Sequence, residues 1–258
     1  MREDDVAADH SDAIAAPAVA QARGRVGSGD LGLEGMDGAQ DGGAERRAAQ
    51  FTAPPPPGLP SAAAARVASA AMPQTLPITL DPLPYEGLLD ARPLDQIDLV
   101  VIHCTELPDL ATARAFGEQV RYASGTGNSG HWYIDRDGTV AQWIVPTRTA
   151  HHVRGYNPRS VGIELVNIGR YPHWLHADHQ AMSVPYPGVQ IDALVALLAH
   201  LQKTLPALRW IAGHEDLDRE QVAADDDPSM LVPRKRDPGP LFPWDMVLAR
   251  VGLERFVA

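Results

Sequence analysis

Two short apolar runs, one carrying a histidine and the other a glutamate, constrain the fold more than any other feature of this chain. One is Leu99–Cys104, with the sequence Leu-Val-Val-Ile-His-Cys, and the other is Val161–Val166, with the sequence Val-Gly-Ile-Glu-Leu-Val. Short runs that are rich in β-branched residues and apolar on both faces are typical of central strands covered on two sides. They predict a layered sheet that contains His103 and Glu164.

The remaining patterns alternate between strand and helix. Asp137-Gly138 favours a hairpin because both turn positions tolerate positive φ. The predicted elements, in chain order, are strand 99–104, a helix from Pro108-Asp109 to about Tyr122, a loop over 124–130, hairpin strands 131–135 and 139–145, strand 160–168, helix 189–205, strand 209–212, a long acidic loop and a terminal helix over 242–256. This order predicts an α/β domain with a mixed central β-sheet flanked by helices.

The first part of the chain has a different composition. Residues 1 to about 75 are rich in Ala, Gly, Asp, Arg and Pro and contain one aromatic residue, Phe51. Such a segment buries too little apolar surface to offset its ordering entropy, so we expect a disordered tail over 1–75 and a folded domain over 76–258. The tail has no continuous apolar stretch of the kind found in secretory signals, and Met72 is a candidate native start.

Composition and charge exclude several classes of protein. The net charge of -11 argues against a nucleic-acid partner, because phosphate binding needs clustered Lys and Arg. No run approaches the roughly 18 apolar residues of a membrane span, so we expect no membrane partner. The single cysteine, Cys104, excludes an internal disulfide and a Cys-only zinc site, and we expect it to be a small buried hydrophobe. We expect a monomer.

His103 and Glu164 are the first candidate functional residues. Strand alternation places His103 on the face of Leu99 and Val101. A lone histidine at such a place is more often a satisfied core residue than a ligand. Glu164 must be protonated, paired or turned towards a polar cavity, because an unpaired buried carboxylate costs several kcal/mol. The alternatives for it are an acid–base group or a structural ion pair with an arginine such as Arg148 or Arg154.

Two later segments add ligand-type side chains. His214 follows Gly213, where the backbone can turn sharply at the end of a strand. In Arg234–Pro240, Lys235 and Asp237 are two residues apart and therefore lie on the same side of an extended segment. Alone, this cluster would be a solvated turn. Two histidines and one carboxylate, however, can hold a zinc ion and leave one coordination position free for water.

These segments together resemble a known family. In chain order they are His103, the hairpin from Ser129-Gly130-His131 to Asp137-Gly138, Ala150-His151-His152, the strand 161–165, Gly213-His214 and Arg234-Lys235-Arg236-Asp237-Pro238-Gly239-Pro240. The chain is similar, from about residue 80 onwards, to the zinc-dependent N-acetylmuramoyl-L-alanine amidases of the Amidase_2 superfamily, which also holds phage lysozyme-type amidases and peptidoglycan recognition proteins. It most resembles the muropeptide-recycling group, in which an Arg-Lys-x-Asp-Pro-Gly-Pro segment recurs.

The resemblance implies a role for each matching residue. It implies one Zn²⁺ ion held by His103, His214 and Asp237, with Glu164 as the catalytic carboxylate and Lys235 as the oxyanion stabiliser. The implied reaction is hydrolysis of the amide between N-acetylmuramic acid, or its anhydro form, and L-alanine. The loop between His214 and Asp237 is longer than is usual in the family and carries Asp225-Asp226-Asp227-Pro228.

Five further residues are candidates for contact with a muropeptide or peptidoglycan fragment. His152 matches a family position on the substrate side of the cleft, and His131 matches a second recurring histidine that is either a contact or a supporting residue. The others, Arg154, Tyr156 and Asn157, lie in a polar loop in which a cation can meet the carboxylates of an acidic peptide stem.

Three functions remain open from the sequence. The first is the zinc amidase. The second is a non-catalytic peptidoglycan-binding module of the same fold, and the third is a hydrolase of the same fold that acts on another amide. For the chain as written we expect a cytoplasmic enzyme that acts on soluble muropeptides. A different true N-terminus with an export signal would make it a wall-facing enzyme.

Overall fold

A computed structural model describes residues 76–258 of the protein. The predicted disordered tail, residues 1–75, and the candidate start Met72 lie outside the described residues. The strands are β1 Ile78–Leu80, β2 Leu99–Cys104, β3 Trp132–Ile134, β4 Val140–Gln142, β5 Ser160–Leu165, β6 Trp210–Gly213, β7 Gln221–Ala223, β8 Leu231–Pro233 and β9 Glu254–Arg255. The α-helices are α1 Leu110–Gly117, α2 Gly188–Thr204, α3 His214–Leu217 and α4 Trp244–Leu248, and short 3₁₀ turns cover Glu86–Leu88, Leu94–Gln96, Asn157–Arg159 and Ala177–His179.

Seven strands form one sheet in the order β1-β4-β3-β5-β2-β6-β9. The hairpin pair β3–β4 is antiparallel, and each of the other neighbouring pairs is parallel. The predicted mixed sheet is therefore confirmed. Strands β2 and β5 lie at its centre, as their two-sided apolar sequences indicate.

The two faces of the central strands pack against different parts of the protein. Val100 and Ile102 of β2, with Ile163 and Leu165 of β5, face the apolar side of α2 and form the main core. The alternate residues of β2, Leu99 and Val101, belong to a smaller apolar cluster on the opposite face. Because side chains alternate along a strand, His103 and Glu164 lie on this second face, away from α2.

Helix α1 covers part of the second face and is shorter than its apolar spacing predicts. Asp109 caps its start, because the carboxylate accepts a hydrogen bond from the backbone N–H of Thr112 at 2.7 Å. The helix ends at Gly117 rather than near Tyr122. The backbone N–H groups of Arg121 and Tyr122 donate to the carbonyl of Thr126, 2.9 and 3.0 Å away, instead of continuing the helix.

The C-terminal part departs most from the predicted elements. The expected terminal helix over 242–256 is wrong: α4 stops at Leu248, and β9 joins β6 as a parallel edge strand. The free edge of β6 offers backbone partners that a terminal helix would leave unused, and the N–H of Phe256 donates to Ile211 at 2.8 Å. The expected acidic loop also contains structure, because β7 and β8 pair within it as an antiparallel ribbon.

No helix within residues 76–258 is both long enough and apolar enough to cross a membrane.

Candidate active site

Three ligand-type side chains from distant segments meet beside the end of β2. Nδ1 of His103 lies 3.1 Å from Nδ1 of His214 and 3.0 Å from Oδ2 of Asp237. Nδ1 of His214 lies 3.2 Å from the same Asp237 oxygen. All three residues are buried, with 2%, 4% and 4% of their surface exposed. Their donor atoms therefore face one common point in the interior of the protein.

This donor set fits a zinc ion. Zinc bonds of 2.0–2.1 Å in a tetrahedral site place neighbouring ligand atoms about 3.3 Å apart, close to the separations found here. Within residues 76–258, no other group of His, Cys, Asp or Glu side chains brings three ligand atoms within 4.8 Å of one another. Cys104 is buried but is not part of the group, as expected from its place on the opposite face of β2.

The shifted pKa values of Asp237 and His214, two of the three residues, favour the binding of a cation. Burial alone would raise the pKa of Asp237, but His214 and His103 hold it well below its ordinary value. Burial lowers the pKa of His214 to about 4. Burial would also lower the pKa of His103, but Glu164 and Asp237 raise it overall. At neutral pH, an ionised Asp237 and a neutral His214 are in the protonation states that bind metal.

The local backbone explains how His214 reaches Asp237. The N–H of Gly213 donates to Oδ2 of Asp216 at 2.6 Å, which closes the first turn of α3 on itself. A Cβ at Gly213 would lie 2.7 Å from Cδ of Pro238, so only glycine allows this approach. The N–H of Glu215 then donates to the carbonyl of Asp237 at 2.9 Å and joins the two ligand-bearing segments.

Glu164 lies next to His103 in the sheet. The two residues are register partners on the parallel strands β2 and β5. Gly130 packs directly over Glu164, because a Cβ there would lie 2.8 Å from Cγ of the glutamate. Burial raises the pKa of Glu164 to about 7, although the charge of His103 acts in the opposite direction. A carboxyl group with this pKa can both accept and release a proton near neutral pH.

Glu164 forms no ion pair with Arg148 or Arg154, the two arginines considered as structural partners. Arg148 donates to the carbonyl of Leu89 at 2.9 Å, and Arg154 pairs with Glu220 at 3.0 Å. Among the residues from 76 onwards, the Glu164 carboxylate is in no ion pair and no hydrogen bond. Its side chain keeps some solvent exposure and is not sealed in the core.

Lys235 lies close enough to Glu164, His103 and His214 to act on them electrostatically. It is partly exposed, and its positive charge lowers the pKa of Glu164, His103 and His214. A buried ion pair holds the preceding residues: Nε of Arg170 donates to Glu106 at 2.7 Å, and its Nη1 donates to the carbonyl of Pro233 at 2.9 Å. The segment that carries Lys235 and Asp237 is thus anchored from outside the site.

The five residues expected to contact a substrate lie in different environments. His131 is fully buried, its Nδ1 accepts from the N–H of Gly162 at 3.0 Å, and it lies behind His152 rather than at a surface that a substrate reaches. His152 is partly exposed and contacts His103 directly, with 3.0 Å between its Nδ1 and Nε2 of His103. Arg154 is exposed, whereas Tyr156 packs on the small apolar cluster that includes Leu99.

Asn157 supports the loop rather than pointing out of it. Its Oδ1 accepts hydrogen bonds from the N–H groups of His152 at 3.0 Å and Val153 at 2.8 Å. Sequence reasoning did not find Ser160, whose hydroxyl contacts His152, or Arg170. Ser160 and Glu164 are four residues apart on β5 and therefore lie on the same face of the sheet. This spacing could have identified Ser160 from the sequence. Nothing in the sequence around Arg170 indicates its buried partner.

Comparisons with known proteins agree with this architecture. The family model described as Amidase_2, N-acetylmuramoyl-L-alanine amidase, matches residues 93–240, more than half of the chain. No curated protein sequence matches the chain. The solved N-acetylmuramoyl-L-alanine amidase LysC from Clostridium intestinale URNW has a TM-score of 0.51 at 18% identity, over 70% of this chain and 100% of that chain. At this identity the likeness concerns the fold alone.

Two further solved structures have lower TM-scores. The N-acetylmuramyl-L-alanine amidase AmiD from E. coli, in complex with anhydro-N-acetylmuramic acid-L-Ala-D-gamma-Glu-L-Lys, has a TM-score of 0.46 at 22% identity, over 61% of this chain and 58% of that chain. The Drosophila peptidoglycan recognition protein SD has a TM-score of 0.48 at 15% identity, over 70% of this chain and 98% of that chain.

Proposed function

The chain belongs to the Amidase_2 family of N-acetylmuramoyl-L-alanine amidases, and from that premise we propose that it is a zinc-dependent enzyme for soluble muropeptides. The reaction is hydrolysis of the amide between the lactyl group of N-acetylmuramic acid, or its anhydro form, and L-alanine. Water adds to the carbonyl carbon, the C–N bond breaks, and the products are a carboxylic acid and an amine.

The observation that carries the proposal is the convergence of His103, His214 and Asp237 beside Glu164. Three buried donor atoms 3.0 to 3.2 Å apart, next to a carboxyl group with a pKa of about 7, support this proposal because metal-assisted hydrolysis needs such a set. Zinc, when bound by these three residues, supplies Lewis acidity towards a water molecule and the amide carbonyl.

Glu164 moves the proton. In its ionised form the carboxylate accepts a proton from the attacking water, and in its protonated form it delivers that proton to the departing amide nitrogen. Burial raises the pKa of Glu164 towards neutrality, so its protonated form is accessible as well as its ionised form. Proton transfer by a positioned group typically accelerates such reactions about 10²–10⁴-fold.

Lys235 stabilises negative charge. Its ammonium group is close enough to Glu164 for its charge to lower the pKa of that residue. It therefore suits the oxygen that becomes negative as water adds to the carbonyl. A positioned donor of this kind acts mainly in the transition state, so it raises kcat rather than substrate affinity.

The preference for soluble fragments is supported by charge. With 22 basic and 33 acidic residues, the chain has a net charge of -11 and no general attraction to an anionic wall polymer. Small fragments held by local contacts are the substrates that this charge favours. A cytoplasmic location belongs to the same proposal, because soluble anhydro-muropeptides returned from the wall would be met there.

The experiment is product identification by mass spectrometry after incubation with a soluble anhydro-muropeptide and, separately, with intact sacculi. We expect release of the free peptide stem from the soluble fragment, with much slower release from sacculi. Efficient cleavage of sacculi with poor turnover of the fragment would overturn the recycling assignment. Binding of both without cleavage would identify a peptidoglycan-binding module, and cleavage at another amide would identify a different hydrolase.

A further inference from the structure

A chain of hydrogen bonds leads from His103 back into the protein, away from the common point of the ligand atoms. Nε2 of His103 lies 3.0 Å from Nδ1 of His152. Nε2 of His152 lies 3.3 Å from Oγ of Ser160. The hydroxyl of Ser160 donates to the backbone carbonyl of Tyr156 at 2.9 Å. Both ring nitrogens of His152 are therefore engaged by protein groups.

The carbonyl of Tyr156, at the far end of this series of hydrogen bonds, determines which group donates in each of them. A carbonyl oxygen only accepts, so the single hydroxyl proton of Ser160 points towards Tyr156. The Ser160 oxygen is then an acceptor for an N–H at Nε2 of His152. A neutral imidazole with its proton on Nε2 has an acceptor at Nδ1, so His103 donates from its own Nε2. Nδ1 of His103 is then the ring nitrogen whose lone pair is available to a metal.

The packing around His152 keeps its ring in this position. A Cβ at Gly162 would lie 2.8 Å from both Cγ and Nδ1 of His152, so the ring occupies the space that glycine leaves on β5. Ser160 lies two residues earlier on the same face of that strand.

We propose that His152 and Ser160 are positioning residues that fix the tautomer and the ring orientation of His103, so that its Nδ1 faces His214 and Asp237. This assigns His152 a support role in place of the substrate contact expected from the sequence. The inference rests on the proposed zinc dependence. Groups that hold the second nitrogen of a metal-binding histidine typically contribute about 10–100-fold to metal affinity.

The first test is the zinc dissociation constant of the full chain, measured by competition with a chromophoric chelator at fixed pH. His152→Leu removes the acceptor for His103 and should weaken zinc binding about 10–100-fold. His152→Asn places an amide oxygen where Nδ1 was and should recover most of this loss. Ser160→Ala should weaken binding less than His152→Leu, and His200→Gln, an exposed histidine on α2, should leave it unchanged.

The second test is a long-range ¹H–¹⁵N NMR spectrum of the histidine rings, recorded for the wild-type protein without metal and with zinc. We expect a proton on Nε2 of His103 and on Nε2 of His152 in both states. A proton on Nδ1 of His152, or none on Nε2 of His103, would overturn the proposal. This spectrum and the Ser160→Ala variant decide the question even where His152→Leu fails to fold.

The outcomes separate this inference from the proposed function. Wild-type protein that binds no zinc would remove the zinc-dependent mechanism, and the spectrum without metal would still report the tautomer. Wild-type protein that binds zinc and hydrolyses muropeptides, while His152→Leu keeps wild-type affinity, would overturn the positioning role alone. Equal losses in His152→Leu and His152→Asn would also overturn it, because the acceptor would then be irrelevant.

Discussion

His103 and Glu164 are register partners on two adjacent parallel strands, and both project from the face of the sheet opposite α2. Strand neighbours in a sheet are about 4.8 Å apart, so this pairing alone brings an imidazole and a carboxyl group together. His214, the first residue of α3, and the segment that carries Lys235 and Asp237 are added to this pair, which the sheet already positions.

Glu164→Gln separates proton transfer from metal binding. The amide has the size of the carboxylate but cannot accept the proton, so turnover should fall by about 10²-fold or more. Zinc content, measured by elemental analysis, should stay near that of the wild type because Glu164 is not in the ligand group. Wild-type turnover in this variant would show that the carboxyl group is structural.

The rate should decline on the acidic side of neutrality. Only the ionised form of Glu164 accepts a proton, and burial raises its pKa from 4.5 to about 7 in the metal-free protein. A bound dication lowers that pKa, so the midpoint of the acidic limb of the pH–rate profile should lie below about 7. Below the midpoint, kcat/KM should fall tenfold per pH unit, and above it the rate should level off. A profile of Glu164→Gln with the same limb would assign the titration to another group.

Removal of the metal should stop hydrolysis and lower stability. Zinc bound only by the folded state stabilises it by about 2.7 kcal/mol at a free concentration 100 times the Kd. Chelator treatment should therefore lower Tm and abolish activity, and added zinc should restore both. His103→Ala should show no zinc-dependent shift in Tm, whereas His200→Gln should behave like the wild type. Full hydrolysis by chelator-treated protein would contradict the metal assignment.

Lys235→Ala should lower kcat with little change in KM. The ammonium group interacts most strongly with the charge that develops in the transition state. A fully enclosed donor is worth about 10²–10³-fold in kcat, and the partial exposure of Lys235 lets water replace part of it, so we expect a loss of about 10–100-fold. Steady-state kinetics with a soluble muropeptide measures both constants. A rise in KM at constant kcat would instead make Lys235 a substrate-binding residue.

Gly130→Ala tests the packing over Glu164. The added methyl group would lie 2.8 Å from Cγ of Glu164, closer than real Cβ atoms approach, so the Glu164 side chain or the backbone at residue 130 must shift. We expect kcat to fall at least tenfold, because small displacements of catalytic groups are costly, while zinc content is retained. Gly87→Ala, in a 3₁₀ turn far from the site in sequence, is the matched control, since a Cβ there meets no atom within 4 Å. Unchanged kcat in Gly130→Ala would show that Glu164 tolerates displacement.

The sequence by itself determined the central strands, the hairpin and the long helix, because period-2 and period-3.6 patterns are local properties of a chain. It also marked His103 and Glu164, since a single ionisable side chain in an apolar run stands out without knowledge of the fold. The predictions of the length of α1 and of a terminal helix were wrong, because backbone groups outside those segments decided both. The carbonyl of Thr126 accepts the N–H groups that follow α1, and β9 pairs with the edge of β6.

Only the tertiary structure decided the geometry of the site. His103 and Asp237 are 134 residues apart in the chain but 3.0 Å apart in space, and no local pattern encodes that distance. The same holds for His152, whose place behind His103 depends on the space above Gly162 on a neighbouring strand. Local sequence sets which residues share a face of a strand, whereas contacts between strands and loops depend on how the whole chain buries its apolar surface.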